Sequence, residues 1–258
     1  TKLLELLMRL ARGESGCSVV NVPKVDDEDG RQLSRELATL RKERNQHVSR
    51  MTSLLMTQGI KVTSKELGER ILALPLWDGS RLGAWLQNRL RRELARLATV
   101  NEQIAEIERE RSRLIRTGTS PQIEQVRKLM TLRAIGENSG WMYVMEIFGW
   151  RKIRNRRQLG GLAGLAPTPY DSGGSQREQG ISKAGNKRIR AMAVEIAWLW
   201  LRYQPDSRLS RWFERRFGSG GKRMRRIGIV AMARKLLIEL WKYLETGVVP
   251  EGAKLKAV

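Results

Sequence analysis

Two stretches of this chain, residues 26–58 and 80–117, carry apolar side chains at three- and four-residue steps between charged and polar ones. That spacing is the stripe of an amphipathic helix. The first stripe is Leu33, Leu37, Leu40, Val48, Met51 and Leu55. The second is Leu82, Leu86, Leu90, Leu94, Leu97, Ile104, Ile107 and Leu114. A narrow stripe on a long helix is buried most simply against a second such helix, so the pair is expected to pack as a coiled-coil-like hairpin. Asp26 to Asp29 open the first helix, where the macrodipole favours acids, and Gly59 closes it. Residues 60–79, with Pro75 and Gly79, read as a linker of short helical turns. Ahead of the hairpin, residues 1–13 read as a short amphipathic helix ended by Gly13, and residues 18–22 as a short strand. The fold class that follows is mainly α.

From Gln122 the pattern shortens to helix, an Ile135-Gly136 turn, and helix. Such an entry resembles a helix-hairpin-helix, in which a glycine lets backbone N–H groups meet a phosphate, so Gly136 is a candidate nucleic-acid contact. A basic run, residues 151–157, follows. Helices are then expected over residues 186–203, 208–217 and 224–245, with a frayed tail after Gly247. Trp141, Trp150, Trp198, Trp200, Trp212 and Trp241 stand at helical spacing among Ile, Leu and Val and read as core rather than base-stacking residues. Trp85 is less clearly core.

The charge narrows the partner. The chain carries a formal net charge of +22, of which +16 falls in residues 120–258. A field of that sign on a chain able to build a core favours nucleic acid or an anionic membrane. No stretch is long and apolar enough to span a bilayer, and no signal peptide is visible, so nucleic acid is the expected partner and the cytoplasm the expected location. One cysteine, Cys17, and one histidine, His47, exclude disulfide scaffolds and Cys/His zinc sites within the chain. His47 is expected on a polar, solvated helix face, a poor position for a catalytic triad.

The densest chemistry lies in residues 160–190, GGLAGLAPTPYDSGGSQREQGISKAGNKRIR. Ser172 stands in a Tyr-Asp-Ser-Gly-Gly turn, where flanking glycines allow close approach of a large ligand. Arg177, Lys183, Lys187, Arg188 and Arg190 follow and would hold an anion, phosphate above all. On these residues alone Ser172 reads more readily as a turn former than as a nucleophile. Ser175 and Ser182 compete with it, and Ser182 could cap a helix. The acids at 26–29 likewise read as a helix cap rather than a metal site.

The run from Gly161 to Met192, with LMTLRAIGENSGW and FGWRKIRNRRQL before it and GGKRMRRIGIVAMARKLLIELWKYLETGVVP after it, resembles the C-terminal domain of the insertion-sequence one-hundred-and-ten family of transposases. A Gly-Leu-x-Pro stretch, Tyr-acid-Ser-Gly, Ser-Lys-x-Gly and Arg occur in the family's order over about residues 122–250. The resemblance implies a DNA recombinase guided by a structured RNA. Its serine, carried over to Ser172, attacks a DNA phosphate and forms a 5′-phosphoserine link. It also implies an N-terminal RuvC-like domain whose Asp-Glu-Asp-Asp tetrad binds Mg²⁺. That tetrad has no counterpart here: Asp26 and Asp29 mimic the spacing of its last pair but read as caps, and no residue is assigned to the metal.

The expected organisation is a remnant of that domain in 1–25, a helical hairpin and linker in 26–119, the serine domain in 120–250 and a tail in 251–258. A homo-oligomer through the hairpin and an isolated chain short of its tetrad follow from the same resemblance. The rival class is a non-catalytic helical nucleic-acid binder.

Overall fold

The computed structural model describes residues 2–14, 22–172 and 175–256, and for 169–172 and 175–179 the backbone alone. The fold is mainly α. Helix α1 spans Lys2–Ala11 and α2 spans Val25–Asp29. The long helices α3 (Gln32–Met56) and α4 (Ala84–Thr117) run antiparallel. They are followed by α5 (Pro121–Met130), α6 (Glu137–Tyr143), α7 (Arg156–Leu162), α8 (Lys187–Tyr203), α9 (Arg208–Phe213) and α10 (Lys222–Thr246). One small antiparallel hairpin, β1 (Pro167–Ser172) and β2 (Ser175–Ile181), interrupts the helices.

The stripes pair as expected. Leu37 and Leu40 pack with Val100, Ile104 and Ile107 in one cluster. Met51 and Leu55 pack with Leu90, Ile71 and Leu82 in a second. Between the two clusters lies a polar layer. His47 Nδ1 is 2.6 Å from Glu93 Oε2, and Arg50 Nε donates to the same oxygen at 3.2 Å. His47 is therefore buried, 8% exposed, and not on a solvated face. The period that marked its neighbours as polar gave no sign of a buried partner 46 residues away. A single polar layer in an apolar seam also fixes register, because any slip strands its charges in the core.

Three expected boundaries move. The first long helix breaks at Gly30–Arg31 into α2 and α3, where Arg31 and Arg35 both pair with Glu28. The second begins at Ala84, because residues 75–81 fold back on themselves through a Pro75–Arg81 bridge. The tail does not fray after Gly247. Gln204 Nε2 donates to the Lys254 carbonyl at 2.8 Å, the Lys254 N–H returns to Gln204 Oε1 at 2.7 Å, and Lys256 N–H reaches the Thr131 carbonyl at 2.7 Å. The strand expected over 18–22 lies outside the described residues except for Val22.

The main core is shared by α5 to α10. Trp200, fully buried, donates Nε1–H to Ser207 Oγ at 2.8 Å, and Ser207 in turn caps α9. Trp141 is buried, while Trp212 and Trp241 are half-buried against the same core. Trp150 is half-buried between the guanidinium groups of Arg31 and Arg151, 4.1 and 4.2 Å from its ring centroid. Trp198 is partly exposed, and Trp85 is 88% exposed.

Candidate active site and nucleic-acid interface

The Ser172 segment, expected as a glycine-rich turn, has the backbone of a β-hairpin. Ser172 pairs with Ser175 across the end of the ladder, Tyr170 with Arg177 and Pro169 with Glu178. Two residues, Gly173 and Gly174, connect the strands and lie outside the described residues. Two prolines in β1 hid the strand from propensity. They are tolerated because a two-stranded ribbon has only edge strands, and the register is irregular between Pro167 and Pro169. Ser172 therefore stands at the far end of a projecting ribbon. Arg177 lies on β2, where the backbone alone is described.

The base of the ribbon is held by two loops zipped together. Helix α7 ends with Gly164 at φ +65, and the N–H groups of Gly164 and Leu165 return to the carbonyls of Gly161 and Gly160, each at 2.9 Å. This is a Schellman closure, which needs a left-handed residue. Three further bonds join the loop to the segment after β2. They are Ser182 N–H to the Ala166 carbonyl at 2.9 Å, Lys183 N–H to Gly164 at 3.1 Å, and Asn186 N–H to Leu162 at 2.7 Å. The two backbones meet so closely at Gly185 that a Cβ there would lie 2.4 Å from the Gly164 nitrogen. Lys183 adopts φ +56, an uncommon conformation for a lysine.

Asn186, not Ser182, caps α8: its Oδ1 accepts from Arg188 N–H at 2.9 Å and Ile189 N–H at 3.3 Å. Asn186 Nδ2 donates to Glu146 Oε2 at 3.0 Å. The Glu146 side chain, 2% exposed, also accepts from Arg35 Nε at 3.1 Å, and Arg35 pairs with Glu28 at 2.6 Å. A chain of contacts thus runs from α2 and α3 through Glu146 to the first residue of the serine segment's helix. The hydrogen bond to Glu146 outweighs burial and raises the Arg35 guanidinium above its usual value. Glu146 sits on the turn of π-helix over Val144–Phe148, a wider coil that often marks a functional position. Beside it is a cleft of about 390 Å³ lined by Arg31, Arg35, Trp150, Arg151, Gly185 and Asn186. Sequence reasoning missed this network, because Glu146 lies in an otherwise apolar run (WMYVMEIFGW) whose one acid gives no hint of its partners.

The predicted cations do not form one patch. Lys183 and Lys187 are exposed around the N-terminus of α8. Arg188 lines a groove of about 850 Å³ facing α3. Arg190 turns inward, donating Nη1 to the carbonyls of Lys183 at 3.0 Å and Ala163 at 3.3 Å, and so clamps the two loops. Gly136 is exposed and caps α6 through backbone bonds with Ser139, its N–H donating to Ser139 Oγ at 3.1 Å. Asp26 and Asp27 lie in the first turn of α2, and Asp27 accepts the Lys24 N–H at 3.2 Å, as a cap does. Among the described residues no three His, Cys, Asp or Glu side chains converge as a group that could hold a metal ion. Nor is any helix there long and apolar enough to cross a membrane.

The comparisons with known proteins fall on this same region. Residues 126–210, from α5 to α9, match the transposase IS116/IS110/IS902 family. A Sinorhizobium fredii protein named as a transposase, y4rJ, is 39% identical over 265 residues, covering 98% of this chain and 67% of its own length. The transposase for insertion sequence element IS1328 of Yersinia enterocolitica is 26% identical over 232 residues, 88% of this chain and 66% of its own length. The chain thus spans about two thirds of the length of these relatives. With the serine hairpin inside the matched region and near-complete coverage by y4rJ, the chain belongs to the IS116/IS110/IS902 family of transposases.

Proposed function

We propose that this chain is the strand-cleaving part of a DNA transposase, with Ser172 as its nucleophile. The observation that carries the reading is the hairpin: it sets Ser172 at the end of a ribbon whose base is fixed to the N-terminus of a basic helix. In the reaction Ser172 Oγ bonds to a backbone phosphorus and loses its proton, the P–O3′ bond breaks, and the leaving 3′ oxygen takes up a proton. The DNA 5′ phosphate remains on the serine until a 3′ hydroxyl displaces it. Arg177, Lys183, Lys187 and Arg188 hold phosphate near the ribbon and offset the charge that develops there. Arg190 positions Lys183 through its backbone carbonyl. The exposed turn at Gly136 is a further place where the DNA backbone can approach the chain. In this reading the carboxylates that bind Mg²⁺ belong to a RuvC-like region preceding the aligned segment, and a structured guide RNA selects the site. The helical hairpin joins protomers, and its outer end, with Trp77 91% and Trp85 88% exposed, is the surface available for that contact.

The test is a series of variants in a full-length protein carrying the carboxylate domain, incubated with labelled DNA and Mg²⁺ and run on a denaturing gel. Ser172→Ala is expected to abolish the covalent adduct while leaving DNA binding intact, because no charge is lost. Ser175→Ala and Ser182→Ala are expected to retain it. An adduct that survives in Ser172→Ala and vanishes in either other variant refutes the assignment. An absent adduct in the unmodified protein favours a non-catalytic nucleic-acid binder.

A further inference from the structure

Helix α10 has two apolar faces. One packs into the core through Ile229, Met232, Leu236 and Leu240. The other, Ile227, Val230 and Ile238, is joined by Leu165 to floor a cleft of about 840 Å³ between α10 and α7. Six cations surround that floor: Arg156 and Arg157 from α7, and Arg223, Arg226, Arg234 and Lys235 from α10. Among the described residues no carboxylate lines it. Among the described residues, the ion pairs of α10 use Arg225 and Lys242 instead. Arg234 lies flat against Gly160, where a Cβ would come 3.0 Å from its Nε, and that buried nitrogen has no hydrogen-bond partner among the described residues. Six like charges held together without counter-charges repel one another, and α10 bears that cost unless an anion occupies the cleft.

The shape of the charge selects the anion. A rim of guanidinium groups matches successive phosphates, whereas an apolar floor matches bases or sugars. Duplex DNA offers its phosphates but keeps its bases stacked inside; unpaired nucleotides offer both. The cleft also leads toward the hairpin: Pro167, Gly180 and Ile181, at the ribbon's base, form its end wall. From Pro167 to Ser172 the strand rises about 17 Å. Away from the hairpin the cleft gives way to a hollow of about 440 Å³ of mixed charge, which shares Arg156, Lys235 and Ile238 and adds Trp212 and Arg215 together with the acids Glu239 and Glu251. Lys235 Nζ stands 4.7 Å over the Trp212 ring there.

We infer that the α7–α10 cleft is a binding site for single-stranded DNA, the unpaired flank of the strand that Ser172 attacks. The choice of DNA rests on the function proposed above; the preference for an unpaired strand rests on the cleft itself. Arg223, Arg226 and Ile227 are exposed, so their replacement leaves the core unaltered.

The test is equilibrium binding by fluorescence anisotropy, without Mg²⁺, of this chain to a labelled oligodeoxythymidine of about 12 nucleotides. An oligouridine and a DNA duplex of the same length are run beside it. Arg223→Gln/Arg226→Gln is expected to weaken single-strand binding about tenfold. It should also flatten the slope of log affinity against log salt by about 1.4, at roughly 0.7 per lost phosphate contact. Ile227→Ser, which removes apolar floor without adding charge, is expected to weaken the single strand and spare the duplex. An unchanged salt slope, equal losses on duplex and single strand, or larger losses on oligouridine than on oligodeoxythymidine each overturn the inference. Ser172→Ala is expected to bind the single strand like the unmodified chain. An unmodified full-length protein that binds the single strand yet forms no adduct with Mg²⁺ refutes the nucleophile and leaves the cleft standing.

Discussion

Replacing Glu146 by alanine tests how the helical hairpin and the serine segment are held together. The Glu146 carboxylate is 2% exposed and accepts from Arg35 Nε at 3.1 Å, Arg35 Nη2 at 3.4 Å and Asn186 Nδ2 at 3.0 Å. Breaking a buried ion pair by removing one partner costs about 3–5 kcal/mol. Arg35 softens that figure, because it keeps Glu28 at 2.6 Å and its side chain is 28% exposed, so water reaches the released guanidinium. Asn186 Nδ2 has no such substitute in the structure, which adds about 1 kcal/mol. The expected loss is therefore about 3 kcal/mol. In a chain of this size that lowers the melting temperature by about 6–12 °C. Calorimetry on Glu146→Ala, Asn186→Ala and the double variant measures both the loss and its sharing. The double variant should fall short of the sum of the singles by about 1 kcal/mol. A melting temperature within about 2 °C of the unmodified chain, or strict additivity, refutes the idea that Glu146 ties the two regions together.

Three further outcomes follow from the same structure. Burial pushes the Glu93 carboxyl up, but the hydrogen bonds from His47 and Arg50 outweigh it and hold it below its usual 4.5. Its folded pKa is depressed, so its contribution is fully present above pH 4.5 and is lost as pH falls through the lower folded value. Thermal scans across that range should show Glu93→Gln losing less stability on acidification than the unmodified chain; parallel curves contradict this. Gly185→Ala forces a Cβ to within 2.7 Å of three backbone atoms, so it should cost about 3 kcal/mol in chemical denaturation, and a near-neutral result would show that the two loops separate easily. Ending the chain after Gly252 removes four bonds that Gln204, Arg133 and Thr131 make with Lys254 and Lys256. It should cost about 4 kcal/mol at about 1 kcal/mol per bond, whereas an unchanged denaturation midpoint would mean that the tail is loosely attached.

What was legible in the sequence divides along physical lines. The hairpin stripes were legible because a helix repeats its burial every three or four residues, so Leu37, Leu40, Met51 and Leu55 announce one face. The end of α10 at Gly247 was legible for a local reason, a glycine at φ +75. The serine ribbon was not, because prolines and glycines argue against strands unless both strands are edges, which only the tertiary arrangement reveals. His47 and Glu146 were illegible because each has a partner more than 40 residues away or on another helix. The basic residues were legible as charge but not as geometry: Arg188 and Arg190 lie one and three positions from Lys187 by number yet face different surroundings. The α7–α10 cleft was hidden by its own composition. A helix with apolar residues on two faces shows no single stripe, and Ile227 on its outer face is 52% exposed.

The account turns on one bond, between Ser172 Oγ and a DNA phosphorus. The most direct measurement is tandem mass spectrometry of the covalent complex formed by the full-length protein, after nuclease trimming and proteolysis. The account predicts a nucleotide attached through its 5′ phosphate to Ser172, in the peptide that contains Tyr170 and Asp171. A nucleotide on Ser175, on Ser182 or on any tyrosine, with Ser172 unmodified, contradicts it.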